Sequence, residues 1–456
     1  MKTIDLARSW RALGRTARLY LLHIALLTAS LAIFGLFFNI AILALGFSLD
    51  FLGVLNSVSF AASAVLGVPL LWLVGRIRLR AALLLSAMLQ FGSVLLFALW
   101  PTTAALLIAS VLIGAAAVLF EISAPPFMMR HSSAATRDQL FSANAAIRIG
   151  LAGLGSLLAG QLPSLSARLL HVAPQSAPAY QATLAVAAVG LAVAMAPLLL
   201  MRGEQHRQEP EGDTHASGLA DAKMQRLKEK YFPMPLRAWR LCVRFIRHRR
   251  SRTDRPTQKL AALIPPVWGA LARRPVPLLK LLASPALISI GAALLIPYLN
   301  LFFKQRFGVS DQSLGVIFAG LGICTGAAAL AGPVLSARLG KIRTVVLTQA
   351  LALPFLALLG IAPLLSLAVG AALARAALFN MSAPLYDAFA MERSDEAARP
   401  TVIALVNGAY SIGYAVAPLL STHIQTVYGF GPLFVATTVC YILAVLVKYW
   451  FFVRTP

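Results

Sequence analysis

The feature that most restricts this chain is a succession of apolar runs, each long enough to cross about 30 Å of hydrocarbon as a helix, which takes about 20 residues. In the first part of the sequence they cover 19–47, 52–75, 81–100, 103–129, 139–162 and 179–201. After a long polar stretch they resume at 278–303, 312–336, 344–362, 364–390, 400–422 and 430–453, the pair 344–390 being divided only by Pro363. At 59% hydrophobic residues, the composition lies well above the roughly 45–50% of soluble globular chains. The expected fold class is therefore an all-α membrane protein with twelve transmembrane helices. The first run is too long for a signal-peptide core and no soluble domain follows it, so it reads as a retained first helix.

The two sets of runs echo each other. LFEISAP at 119–125 returns as LFNMSAP at 378–384, LGV at 52–54 as LGV at 314–316, GRIR at 75–78 as GKIR at 340–343, and NAAIRIG at 144–150 as NGAYSIG at 407–413. Pairs of this kind in one chain order describe a six-helix unit written twice in the same direction, as in transporters with parallel repeats. The expected organisation is a basic N-terminus at 1–18, a six-helix bundle at 19–201, a basic linker at 202–277 and a second bundle at 278–456.

The net charge of +24 would suggest a nucleic-acid partner if it covered a soluble surface. Instead, 35 of the 40 Lys and Arg residues fall at the two ends, in the linker and in alternate loops, whereas the opposite loops hold only Arg168, Lys304 and Arg306. By the positive-inside rule both termini and the linker are cytoplasmic, and no nucleic-acid partner is expected. The expected location is the cytoplasmic membrane as a multi-pass protein, taken as a bacterial inner membrane, and the expected state is a monomer. Cys242, Cys324 and Cys440 are isolated, which supports neither disulfides nor a metal site. The sequon at Asn380 lies inside an apolar run.

Within the linker, 203–218 is polar, whereas 235–250 carries a stripe of Arg237, Arg240, Arg244 and Arg247 opposite Trp239, Val243 and Ile246. Such a helix suits a leaflet of anionic lipids, each basic side chain gaining about 1 kcal/mol there. The alternative is a solvated charged linker.

The remaining two basic residues, Arg148 and Arg375, fall inside the membrane. Ionisable groups at that depth are costly and become functional candidates. Glu121 lies eight residues from the end of the fourth run and Arg148 nine from the start of the fifth, which gives both a similar depth. Two readings stand open: a structural ion pair, or a proton-coupling pair in which Glu121 takes up a proton while Arg148 tunes its acidity. Arg375 has no acid within two turns of its own helix and needs a partner, either an anionic substrate group or Glu121 across a cavity. Asp387, near the end of its run, reads as an interfacial or gating residue, and His23 as interfacial.

Uncharged polar residues at depth are weaker candidates: Asn39 and Asn300 at comparable places in the first and seventh runs, Gln90, Gln349, Asn380, Asn407, Tyr298, Tyr410 and Tyr414. Each could simply bond a neighbouring helix. Pro125, Pro126 and Pro384 are expected to free backbone carbonyls, and Gly150, Gly153, Gly155, Gly160, Gly408 and Gly413 to permit close helix contact.

Six plus six helices, a long cytoplasmic link, and the stretches GVPLLWLVGRIR at 67–78 and GPVLSARLGKIR at 332–343 make the chain resemble the major facilitator superfamily. The glycines and basic residues of that family's loop motif are present, while Trp72 and Ser336 occupy the places of its aspartate. The resemblance implies alternating access and assigns gating to the loops bearing Gly75, Arg76, Arg78, Gly340, Lys341 and Arg343. It also places Asn39, Glu121, Asn300, Arg375 and Asn380 around a cavity, with Asn39, Asn300, Arg375 and Asn380 as substrate-binding candidates and Glu121 with Arg148 for proton coupling. The glycine signature of drug antiporters is incomplete, since 150–155 contains no proline.

The expected function is a secondary transporter of a small organic solute, with proton coupling as a further element. The alternative from another class is a non-transporting membrane sensor or scaffold that recruits a partner through the linker. No nucleotide-binding loop, metal-ligand spacing or nucleophile constellation is present, so neither a cofactor nor an enzyme is expected. Deleting 235–250 is expected to weaken association of the protein with anionic liposomes in a flotation assay; unchanged association would remove the surface-helix reading.

Overall fold

In the computed structural model, residues 13–133, 136–201, 275–393 and 399–454 are described. The linker stripe at 235–250 and the basic residues at 1–12 lie outside them. The first half contains α1 (Arg15–Ala44), α2 (Leu49–Val74), α3 (Leu79–Leu99), α4 (Thr103–Arg130), α5 (Arg137–Ala159) and α6 (Ala177–Leu200), with a short helix, Leu162–Leu170, before α6. The second half contains α7 (Pro275–Leu295, continued by Leu299–Phe307), α8 (Asp311–Leu339), α9 (Lys341–Ile361), α10 (Leu365–Asn380, continued by Ala383–Glu392), α11 (Arg399–Tyr428) and α12 (Gly431–Lys448). Among the described residues, eleven spans are long and apolar enough to cross a bilayer.

The duplication seen in the sequence is repeated in the packing. In the first half α1 packs on α5 and α6, α4 on α2 and α3, and α3 on α6; in the second, α7 packs on α11 and α12, α10 on α8 and α9, and α9 on α12. The halves meet along α2 with α11 and α5 with α8, and where α1 touches the outer part of α7. Because successive spans alternate in direction, α1 begins and α12 finishes at one end of the bundle, here called the terminal end.

The seam between halves is built from small residues and from amides, as expected where lipid supplies no hydrophobic force between helices. A Cβ on Gly315 of α8 would stand 2.7 Å from the Ser156 carbonyl of α5, and one on Gly160 would stand 2.8 Å from the Asp311 carbonyl. The contact continues inward, Gly322 lying against Gly153 and Gly326 against Ile149. Gly155 and Gly413 instead hold helices together within their own halves, against Ala29 and Ser289, whereas Gly150 and Gly408 face open space.

Two helices are interrupted, and each break has its carbonyl satisfied. In α7 the turn Ile296–Tyr298 exposes the Pro297 carbonyl, which accepts a hydrogen bond from Asn39 Nδ2 of α1 at 2.6 Å. In α10 the chain breaks at Met381 and Ser382, just before Pro384, and the Ser382 hydroxyl donates to the Phe379 carbonyl at 2.7 Å. The matching prolines of the first half, Pro125 and Pro126, leave α4 continuous, so the expected equivalence of the two proline sites does not extend to a break in both.

Gly315→Ala is expected to lower the melting temperature of the purified protein, since overpacking costs about 1–3 kcal/mol. Gly370→Ala, at a helical glycine with open space around it, should leave stability unchanged or slightly raised. Equal behaviour of the two variants would contradict the close α5–α8 contact.

Candidate functional site

Between the halves lies a cavity of about 450 Å³, within the range of small-molecule sites. Its walls are mainly apolar, with Leu299, Phe318, Leu321 and Leu356 prominent, and its polar groups are Arg148, Ser156, Thr325, Arg375 and Asn380. α5 supplies the wall from the first half, and α7, α8, α9 and α10 supply the rest.

Glu121 of α4 and Arg148 of α5 meet, Nη2 donating to Oε1 at 3.2 Å. Their side chains are 60% and 48% exposed, so this is an accessible pair rather than one sealed in protein. The Arg148 guanidinium also stands 5.7 Å from the Phe120 ring. Of the two partners open to Glu121, the geometry selects Arg148.

Arg375 is only 6% exposed. Its Nη2 donates to the Tyr441 hydroxyl of α12 at 3.0 Å, and its guanidinium lies 5.2 Å and 5.7 Å from the rings of Phe379 and Tyr441. Those rings stack on each other at 4.4 Å and 16°, which fixes the aromatic surface beside the cation. Nε of Arg375 has no hydrogen-bond partner among the described residues. One turn and a half further along α10, Asn380 Nδ2 donates to Thr325 Oγ1 of α8 at 3.3 Å, both residues lining the cavity.

Asn39 and Asn300 do not line it in this conformation. They form a reciprocal clasp: Asn39 Nδ2 donates to Asn300 Oδ1 at 3.1 Å, and Asn300 Nδ2 donates to the Leu36 carbonyl at 2.9 Å. Their equivalent places in the two repeats set them face to face across the seam, with Asn56 Nδ2 donating to the Tyr298 hydroxyl nearby at 3.4 Å. At the same end, Lys304 and the Tyr180 hydroxyl both donate to Asp311, joining α6 to α7 and α8.

The gating candidates behave differently in the two repeats. Arg76 stacks on Trp72, with 3.6 Å from its guanidinium carbon to the ring centroid, so a cation–π contact replaces the ion pair an aspartate would make. Arg80 donates to the carbonyls of Leu198 and Leu199 and caps α6. In the second repeat Lys341 pairs with Glu392, and Gly340 takes φ +83°, a conformation that Gly75, at φ −64°, does not share. Asp387 is exposed and has no ion-pair partner among the described residues.

Two polar residues near run ends are enclosed by neighbouring helices. His23 is fully buried, with Nδ1 bonded to the Ala194 carbonyl of α6 at 2.7 Å. Lys448, counted above among the cytoplasmic charges, is 1% exposed: Nζ donates to Gln349 Oε1 at 2.6 Å, and Gln349 Nε2 donates to the Ser382 hydroxyl at 2.7 Å. That chain ties α12 and α9 to the break in α10, and the position of Lys448 inside the last apolar run was its only sequence signal. The Asn407 side chain lies outside the described residues.

No curated protein sequence matches the chain. Solved structures do match in fold. One is a bacterial homologue of the human lysosomal transporter Spinster, inward-facing and unoccupied, 14% identical over 95% of this chain and 96% of that one, with a TM-score of 0.69. A bacterial homologue of the iron transporter ferroportin, in an inward-facing state, is 13% identical over 96% and 98%, with a TM-score of 0.65. A D-xylose–proton symporter is 14% identical over 96% and 97%, with a TM-score of 0.63. At these identities the match concerns the fold. The family model described as Major Facilitator Superfamily, however, matches residues 19–374 and 281–456, and with the duplicated six-helix halves and the cavity between them this shows that the chain belongs to that superfamily of membrane transporters.

Proposed function

We propose that the protein is a secondary transporter that moves a small organic solute by alternating access, and that this conformation is closed at the end remote from the termini. The observation that carries the reading is the one-sided seam. The Asn39–Asn300 clasp, the Asn56–Tyr298 bond, the Gly160–Gly315 contact and the Tyr180–Lys304–Asp311 group all lie toward the remote end of their helices. The Glu121–Arg148 pair, nearer the terminal end of α4 and at the midpoint of α5, is accessible. With the termini cytoplasmic by the charge distribution, the state is inward-facing.

Coupling to protons would run through the same pair. With Glu121 ionised, Arg148 is neutralised; with Glu121 protonated, the guanidinium is free to attract a bound solute from the other half. Proton and solute would then each favour the binding of the other, which is the linkage that symport requires. A structural pair would lack this consequence.

For a solute selected by thermal stabilisation of the purified protein, Glu121→Gln is expected to abolish accumulation driven by a pH gradient in proteoliposomes while leaving solute exchange intact. Accumulation at the parent rate would remove Glu121 as the proton carrier. A pair of cysteines in place of Asn39 and Asn300, once cross-linked, should stop exchange as well; undiminished exchange would contradict a moving seam.

A further inference from the structure

We propose that the cavity is selective for an amphiphilic organic anion, with a carboxylate or sulfonate head held by Arg375 and an apolar body against the walls of α7, α8 and α9. An arginine almost wholly enclosed at membrane depth is costly unless its charge is answered. Within the described residues Arg375 has one neutral partner, the Tyr441 hydroxyl, and its Nε has none. The guanidinium carries five donors in a planar fork suited to two parallel bonds with one carboxylate. Phe379 and Tyr441 hold it beside their stacked rings, and the residue lines the cavity.

The rest of the lining argues against other solutes. Among the described residues no acid lines the cavity, and its second charge is the guanidinium of Arg148. A cationic solute would therefore meet the uncompensated guanidinium of Arg375, while the carboxylate of Glu121, outside the lining, is already paired with Arg148. A polyhydroxylated neutral solute would find few partners, since Ser156, Thr325 and Asn380 are the uncharged polar side chains in a wall otherwise of aliphatic and phenyl groups. Burying hydroxyls against such a surface without hydrogen bonds is unfavourable. An anion with an apolar body satisfies both features at once: its head answers Arg375, and its body displaces water from Leu299, Phe318 and Leu321. The inference depends on the transport reading for the fate of the ligand, not for its binding.

The test is an isosteric series offered to the full-length purified protein: 3-phenylpropanoate, 3-phenylpropanamide and 3-phenylpropylammonium, with acetate as the anion lacking a body. Binding is read by calorimetry and by thermal stabilisation. The carboxylate should bind with at least about tenfold higher affinity than its amide, its ammonium analogue or acetate, a factor equivalent to about 1.4 kcal/mol. Arg375→Gln should erase the preference for the carboxylate over the amide. Tyr441→Phe, which keeps the guanidinium and removes the hydroxyl bonded to it, should preserve the preference, so the proposal remains testable should the glutamine variant not fold. Equal or tighter binding of the ammonium or amide, binding of none of the four, or loss of the preference in Tyr441→Phe would overturn it. Anion-selective binding without flux in proteoliposomes would sink the transport reading and leave this one standing; flux of a cation that is insensitive to Arg375→Gln would do the reverse.

Discussion

The constraint on which the structure depends is the absence of water around its helices. Backbone groups must be paired within each span, which makes helices the form of the chain, and lipid gives the spans no hydrophobic reason to associate. Association therefore falls to close contact and to hydrogen bonds. Here it is achieved by glycines that bring α5 and α8 nearly to backbone contact and by side-chain amides that reach across the seam. Such contacts act over short distances only. A seam made of them can hold one end of the bundle while the other parts.

The breaks in α7 and α10 serve the same economy. Each frees a carbonyl within the bundle, where an unsatisfied acceptor is expensive, and each carbonyl is taken up at once. The Pro297 carbonyl is bonded from the opposite half, by Asn39, so the break in α7 becomes part of the inter-half clasp. The Phe379 carbonyl is bonded by Ser382 within α10, and Ser382 is in turn bonded through Gln349 to Lys448. One break thus links the halves, and the other is anchored inside its own half, next to Arg375 and Phe379. The cavity lies between a part that can separate and a part that is braced.

Much of this was legible in the sequence, and the remainder was hidden for a definite reason. Apolar run length gave the spans, and repeated short motifs gave the duplication that reappears in matched helix packing. Counting residues along the fourth and fifth runs put Glu121 and Arg148 at one depth, and they do meet. Depth, however, says nothing of which face of a helix a residue occupies. Asn39 and Asn300 were recognised as equivalent, yet equivalence alone could not tell a shared cavity wall from a mutual clasp. The same gap hid the surroundings of His23 and Lys448, whose positions along their runs gave no sign that their helix faces turn them into the bundle. Pro125 and Pro126 resemble Pro384 in sequence, but α4 absorbs them without a break.

The central claim is that two similar halves rock about a cavity, one end closing as the other opens. Distances between spin labels report this directly: one pair at Leu71 and Leu339, toward the terminal end of α2 and α8, and one at Leu99 and Val427, at the remote end of α3 and α11, all exposed positions. On addition of a transported solute with acidification, the account predicts that the first distance shortens while the second lengthens. Two distances that stay constant under every condition, or that change in the same sense, would contradict it.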